Sequence, residues 1–180
     1  MKKTILTFGF IAGLIVTAMM VFSTYQCYNN SEQFEPSMVI GYLGMLVAFS
    51  FVFIGIRNYR EKYNNGTITF KKAFTIGLLI ALIASTMYVV VWLIEYYYFI
   101  PDFMDKYMDF VIRQGKEEGL TAAQLQVKMD EMEMYKEWYK SPILVILLTF
   151  SEILPLGIVI ALISALILKR KNRASSSTEI

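Results

Sequence analysis

Four runs of apolar residues, at about 4–25, 38–56, 73–99 and 143–168, alternate with segments that hold nearly all of the charge. Inside each run, apolar residues follow one another without the polar position every three or four residues that marks the wet face of an amphipathic helix. Each run approaches or exceeds the roughly 20 residues that carry a helix across a hydrocarbon core. The pattern therefore predicts an all-α membrane protein with four transmembrane helices, folded as a single integral membrane domain over 1–180. A helical hairpin between spans three and four (101–142) is expected to be extracytoplasmic, and a polar tail (169–180) cytoplasmic.

Details of the runs refine this reading. The first follows Lys2 and Lys3, and no small-x-small cleavage site comes after it, so it is expected to remain as an anchor. Gly9 and Gly13, then Gly41 and Gly44, and Gly157 with Ala161 set small residues one helical turn apart, where another helix packs closely. Trp92, Tyr96, Tyr97, Tyr98 and Phe99 close the third run as an interfacial aromatic belt, with Glu95 at its outer boundary reaching for water. Between spans three and four, Phe103, Tyr107 and Phe110 recur at helical spacing and stop near Gly115 to Gly119. Thr121 with Gln124 forms a capping box that opens a second helix, striped by Leu125, Met129, Met132, Tyr135 (or Lys136) and Tyr139.

Charge orients the spans. Eleven Lys and Arg lie in the N-terminus, in Arg57 to Lys72 and in the tail, against none in the first outer loop and six in the long third one. Lys and Arg near span ends mark the cytoplasmic side, so both termini and the middle loop are expected in the cytoplasm. A net charge of +2 without a basic face gives no reason to expect nucleic acid as a partner. With no histidine and one cysteine, Cys27, the usual metal ligands and catalytic bases are missing. No cofactor, metal site or enzymatic activity is expected. Met104, Met108, Met129, Met132 and Met134 fit apolar packing better than a soft-metal site. Shifts of 68 and 113 residues superpose Gly9 on Gly77 and Gly44 on Gly157, which suggests a duplicated hairpin.

Candidate chemistry concentrates in the last run. Glu152 lies about 14 Å along the helix from Ile143, and Pro155 and Gly157 follow it as a kink. An ionised carboxylate at such depth costs on the order of 2.5–3.5 kcal/mol, so Glu152 is expected to be protonated or to face water. One reading makes it a proton- or cation-coupled site of a small transporter or channel. The other makes it packing glue, hydrogen-bonded to Ser50, Ser85 or Thr86.

The stretch Gly41-Tyr-Leu-Gly-Met-Leu-Val-Ala-Phe-Ser, the loop Arg57-Asn-Tyr-Arg-Glu-Lys-Tyr, the run Gly66-Thr-Ile-Thr-Phe-Lys-Lys-Ala-Phe-Thr-Ile-Gly-Leu, and Glu152-Ile-Leu-Pro-Leu-Gly with Ile163-Ser-Ala-Leu-Ile-Leu-Lys-Arg-Lys resemble a bacterial inner-membrane family catalogued as domain of unknown function 4199. The resemblance spans Lys2 to Lys171. It implies four spans and supplies no activity, ligand or site residue. From the residues themselves, the leading expectation is a non-enzymatic helix-packing protein whose partners are the lipid bilayer and a second copy or another membrane protein. Transport through Glu152 is the alternative.

Overall fold

Each apolar run is one long helix in the computed structural model, which describes residues 1–29 and 38–170. The order is α1 (Lys2–Asn29), α2 (Met38–Tyr63), α3 (Phe70–Ile94) with a π turn at Glu95–Phe99, α4 (Phe103–Glu117), α5 (Ala122–Trp138) and α6 (Pro142–Leu168). Four of these, over Lys2–Tyr28, Val39–Tyr63, Phe70–Phe99 and Pro142–Leu168, are long and apolar enough to cross a membrane. The second helix runs well past Ile56, the expected end of its apolar run, because Arg57, Arg60 and Lys62 are good helix formers and hydropathy registers the solvent, not the backbone. The third begins at Phe70, where Thr69 caps it by accepting from the Lys72 N–H. Most of the expected first outer loop, 30–37, and of the tail, from 171 onward, lies outside the described residues.

The spans form a ring in the order α1, α2, α6, α3, and α2 also touches α3 across the shorter diagonal. Without a hydrophobic drive between helices in lipid, such a ring closes where small residues let backbones approach. A β-carbon at Gly77 would come within 2.9 Å of Ile56 Cδ1 and 3.0 Å of the Ala161 β-carbon, so α3 is held against α2 and α6 at once. Gly9 meets Ile83, Gly13 meets Met87, and Gly44 meets Met19. Phe49, Val52, Ile56, Ile76, Ile80 and Ile153 are fully buried between these contacts. The ring sets α1 beside α3 and α2 beside α6. A two-fold axis along the bundle would put such repeat-related helices on the diagonals, so the two hairpins are not arranged by one.

The two ends of the bundle differ. At the end that carries Lys2, Arg57 and Lys169, the turn at Asn65 (φ 49°) and Gly66 (φ 72°) folds the connection back. Ile68 then pairs with Arg170 through two backbone hydrogen bonds, of 3.0 and 2.9 Å. Arg60 Nη1 donates to the Leu168 carbonyl at 3.1 Å, satisfying one of the open carbonyls at the end of α6.

At the other end, α4 and α5 form the expected hairpin. Helix α4 stops in a Schellman turn, with Gly119 at φ 74° and the Leu120 N–H donating to the Gly115 carbonyl at 3.0 Å. Thr121 and Gln124 make the capping box that opens α5. The hairpin packs onto the bundle: Met20, Trp92, Tyr96, Ile100, Met104 and Val145 form a second apolar cluster, with Phe103 and Tyr139 against it. Trp92 and Tyr96 are thus buried, whereas Tyr98 and Phe99 are 81% and 75% exposed. Only part of the aromatic group faces outward as a belt would.

Candidate functional site

Beneath the hairpin the bundle opens into a cleft. A cavity of about 600 Å³ is lined by α1 at Met19, Met20, Ser23, Thr24 and Cys27, and by α2 at Ile40, Gly41, Gly44 and Met45. Helix α3 adds Tyr88 and Trp92, and α6 adds Thr149 and Glu152. Its roof is the hairpin, through Phe103, Met104, Tyr107, Glu131, Met132, Tyr135 and Tyr139. That volume lies within the range of about 300–1,000 Å³ typical of small-molecule sites, as does its largely apolar lining with a few polar groups.

Glu152 reaches this cavity because it stands on the same face of α6 as Thr149, three residues earlier. Thr149 is buried and donates its hydroxyl to the Val145 carbonyl at 2.8 Å, so its side chain stays within its own helix. Glu152 makes no ion pair or hydrogen bond among the described residues. The partners expected for it as packing glue do not take that part. Ser50 donates to Val47 O at 2.6 Å, Thr86 donates to Leu82 O at 2.8 Å, and buried Ser85 Oγ has no partner among the described residues. No Lys or Arg lines the cavity among the described residues.

Electrostatics tie the acid to the roof. Burial pushes the Tyr139 phenol up to about 12; the Trp92 indole N–H opposes the shift, and the field of Glu152 adds to it. Tyr107 is likewise raised, by burial first and Glu152 second. At the hairpin's edge Tyr28 donates to Asp102 at 3.2 Å, and Lys106 pairs with Asp102 at 2.9 Å. The Lys106 bond, with help from Tyr28, holds the Asp102 carboxyl below the usual range. Tyr97 ties the far end of α5 down by donating to the Tyr139 carbonyl at 2.9 Å.

The other sequence-derived candidates are dispersed. Glu95 opens the π turn half-buried, with Oε2 enclosed and without a partner among the described residues, and is not among the residues that line the cavity. Pro155 sits within a helix assigned without a break from Pro142 to Leu168, one turn beyond Glu152. Gly157 packs on Ala81 and Phe49, and Ala161 is fully buried against Gly77. Gly41 meets nothing within 4 Å and borders the cavity. Of the methionines in the hairpin, Met104 and Met132 line the cavity, while Met134 is exposed. No cluster of His, Cys, Asp or Glu able to hold a metal occurs among the described residues. Sequence reasoning passed over Tyr88 and Thr149, and read Tyr139 only as part of a helix stripe. The spacing of Thr149 to Glu152, which puts a hydroxyl on the acid's face, was the available signal.

Comparison with known proteins gives one positive result. The model of a family described as "Protein of unknown function (DUF4199)" matches residues 7–170. No curated protein and no solved structure matches the chain.

Proposed function

The chain belongs to that family of proteins of unknown function, and from its geometry we propose a non-enzymatic, membrane-embedded binding protein that takes a small molecule or cation into the cavity under the hairpin. Glu152 is its charged recognition group. The observation that carries this reading is the position of Glu152 on a cavity of about 600 Å³ with no basic side chain in its lining among the described residues. An acid within a span is costly when sealed in oil. Facing a cavity, it is hydrated when the cavity is empty and paired when a guest is present. The distribution of Lys and Arg supports termini in the cytoplasm of a bacterial inner membrane and a cavity beneath the opposite, outer surface.

Association through small-residue faces is the weaker reading. Gly9, Gly13, Gly44 and Gly157 are used inside the chain, where they close its own bundle.

The test is chemical access. A hydrophobic carbodiimide such as dicyclohexylcarbodiimide modifies carboxyls that it reaches from an apolar phase. In the detergent-purified full chain, peptide mass mapping is expected to find the adduct on Glu152 and to lose it in Glu152→Gln. An unmodified Glu152 under conditions that modify other carboxyls overturns the reading.

A further inference from the structure

We infer that the guest of this cavity is a lipophilic organic cation, a quaternary or protonated amine or an onium ion with apolar arms. The inference rests on the binding role proposed for Glu152 and names the chemical class that the same site selects. Charge sets the sign of the guest. The carboxyls in the lining are Glu152 on α6 and Glu131 in the roof, and no cation lines the cavity among the described residues to offset them. An anion would meet repulsion and no counterion among the described residues, and a neutral guest would leave the exposed Glu152 carboxylate unpaired within a span.

The walls set the kind of cation. Tyr88, Trp92, Tyr107 and Tyr139 bring aromatic rings to the cavity from α3, α4 and the end of α5. Aromatic faces attract cations whose own hydration is weak, by roughly 0.5–2 kcal/mol per contact. The same end of the molecule already shows that contact, since Lys106 Nζ stands 4.0 Å from the centroid of the Tyr28 ring. A small inorganic ion is served poorly. Such ions need about six or more oxygens gathered at one point to replace their water, and no cluster of carboxylates able to hold a metal ion occurs among the described residues. The rest of the lining is methionine-rich, with Met19, Met20, Met45, Met104 and Met132. Unbranched thioethers mould themselves to apolar arms of varied shape, as they do at promiscuous surfaces.

The experiment uses two ions of nearly the same size and shape and opposite charge. Tetraphenylphosphonium or tetraphenylborate is added to the detergent-purified full chain before carbodiimide treatment, and modification at Glu152 is mapped. Tetraphenylphosphonium is expected to cut the Glu152 adduct by at least fivefold and tetraphenylborate to leave it unchanged. Equilibrium dialysis of labelled tetraphenylphosphonium is expected to show binding about tenfold weaker for Glu152→Gln. Binding should be kept by Tyr107→Phe, which retains the ring, and weakened at least threefold by Tyr107→Leu. Equal protection by both ions, or by neither, overturns the cation assignment while an adduct on Glu152 leaves the binding role standing. Failure of the carbodiimide to reach Glu152 without either ion overturns both. Equal binding by the two Tyr107 variants removes the aromatic part of the argument and with it the preference for organic over simple cations.

Discussion

Gly157 of α6 lies so close to Ala81 of α3 that a β-carbon at 157 would stand 2.9 Å from the Ala81 β-carbon and 3.0 Å from the Phe49 ring. Neither neighbour can yield easily, since Ala81 and Phe49 are both fully buried. This contact fixes the distance between the two helices that frame the floor of the cavity.

Gly157→Ala and Gly77→Ala are therefore expected to destabilise the bundle by about 1–3 kcal/mol each, the usual cost of forcing a methyl into a filled core. Gly41→Ala, which has open space, should be neutral or slightly stabilising, because alanine is the better helix former. Denaturation of the detergent-solubilised protein distinguishes the two groups. Equal effects at 41 and 157 would contradict the packing described.

Arg60 carries the second prediction. Its guanidinium spans the Leu168 carbonyl and the Glu61 carboxylate, so Arg60→Ala removes a charge-assisted bond at a helix C-terminus and frees the end of α6. The expected loss is about 1–2 kcal/mol, discounted for partial exposure. Arg60→Lys should recover only part of it, since an ammonium lacks the fork that reaches both acceptors. The check is the unfolding midpoint of the three proteins, and full recovery by lysine would show that charge alone suffices.

The third concerns pH. Tyr139 has its phenol raised from 10.0 to about 12 in the folded chain. A raised value means that the folded state holds the proton more tightly than the unfolded one. The associated stability is complete below pH 10, the unfolded value, and is lost as pH rises towards about 12. Ultraviolet titration of Tyr139→Phe should show one tyrosinate fewer in that high range than the parent chain. Glu152→Gln should move the Tyr139 transition down slightly, because the carboxylate adds to the shift. An unchanged midpoint in Glu152→Gln would separate the acid from the roof.

Much of this architecture is legible in the chain because lipid is a demanding solvent. Uninterrupted apolar runs leave only spanning helices as a solution, and the hairpin announces itself through Gly119 and the Thr121–Gln124 box. The boundaries of α2 are not legible. Arg57 through Tyr63 change the solvent preference without changing the preference for helix, so hydropathy ends where the backbone does not. Gly41 and Gly44 look equivalent, one turn apart on one face. Only the second packs, on Met19, although both border the cavity. The aromatic residues misdirect for a related reason. Trp92 and Tyr96 sit where a belt is expected, but the hairpin lies over them, and nothing local in their sequence tells lipid from a protein roof. Glu152 was visible as an anomaly. Its surroundings were not, since Tyr88, Tyr107 and Tyr139 come from three separate stretches of chain that only the folded hairpin brings together.

The pairing of Ile68 with Arg170 and the grip of Arg60 on the end of α6 leave the molecule stapled at one rim and open at the other. The Ile68–Arg170 pairing is made of backbone bonds that no side-chain truncation deletes, whereas the opposite rim rests on the side chains that seat the hairpin, so the two rims are expected to differ in their tolerance of substitution.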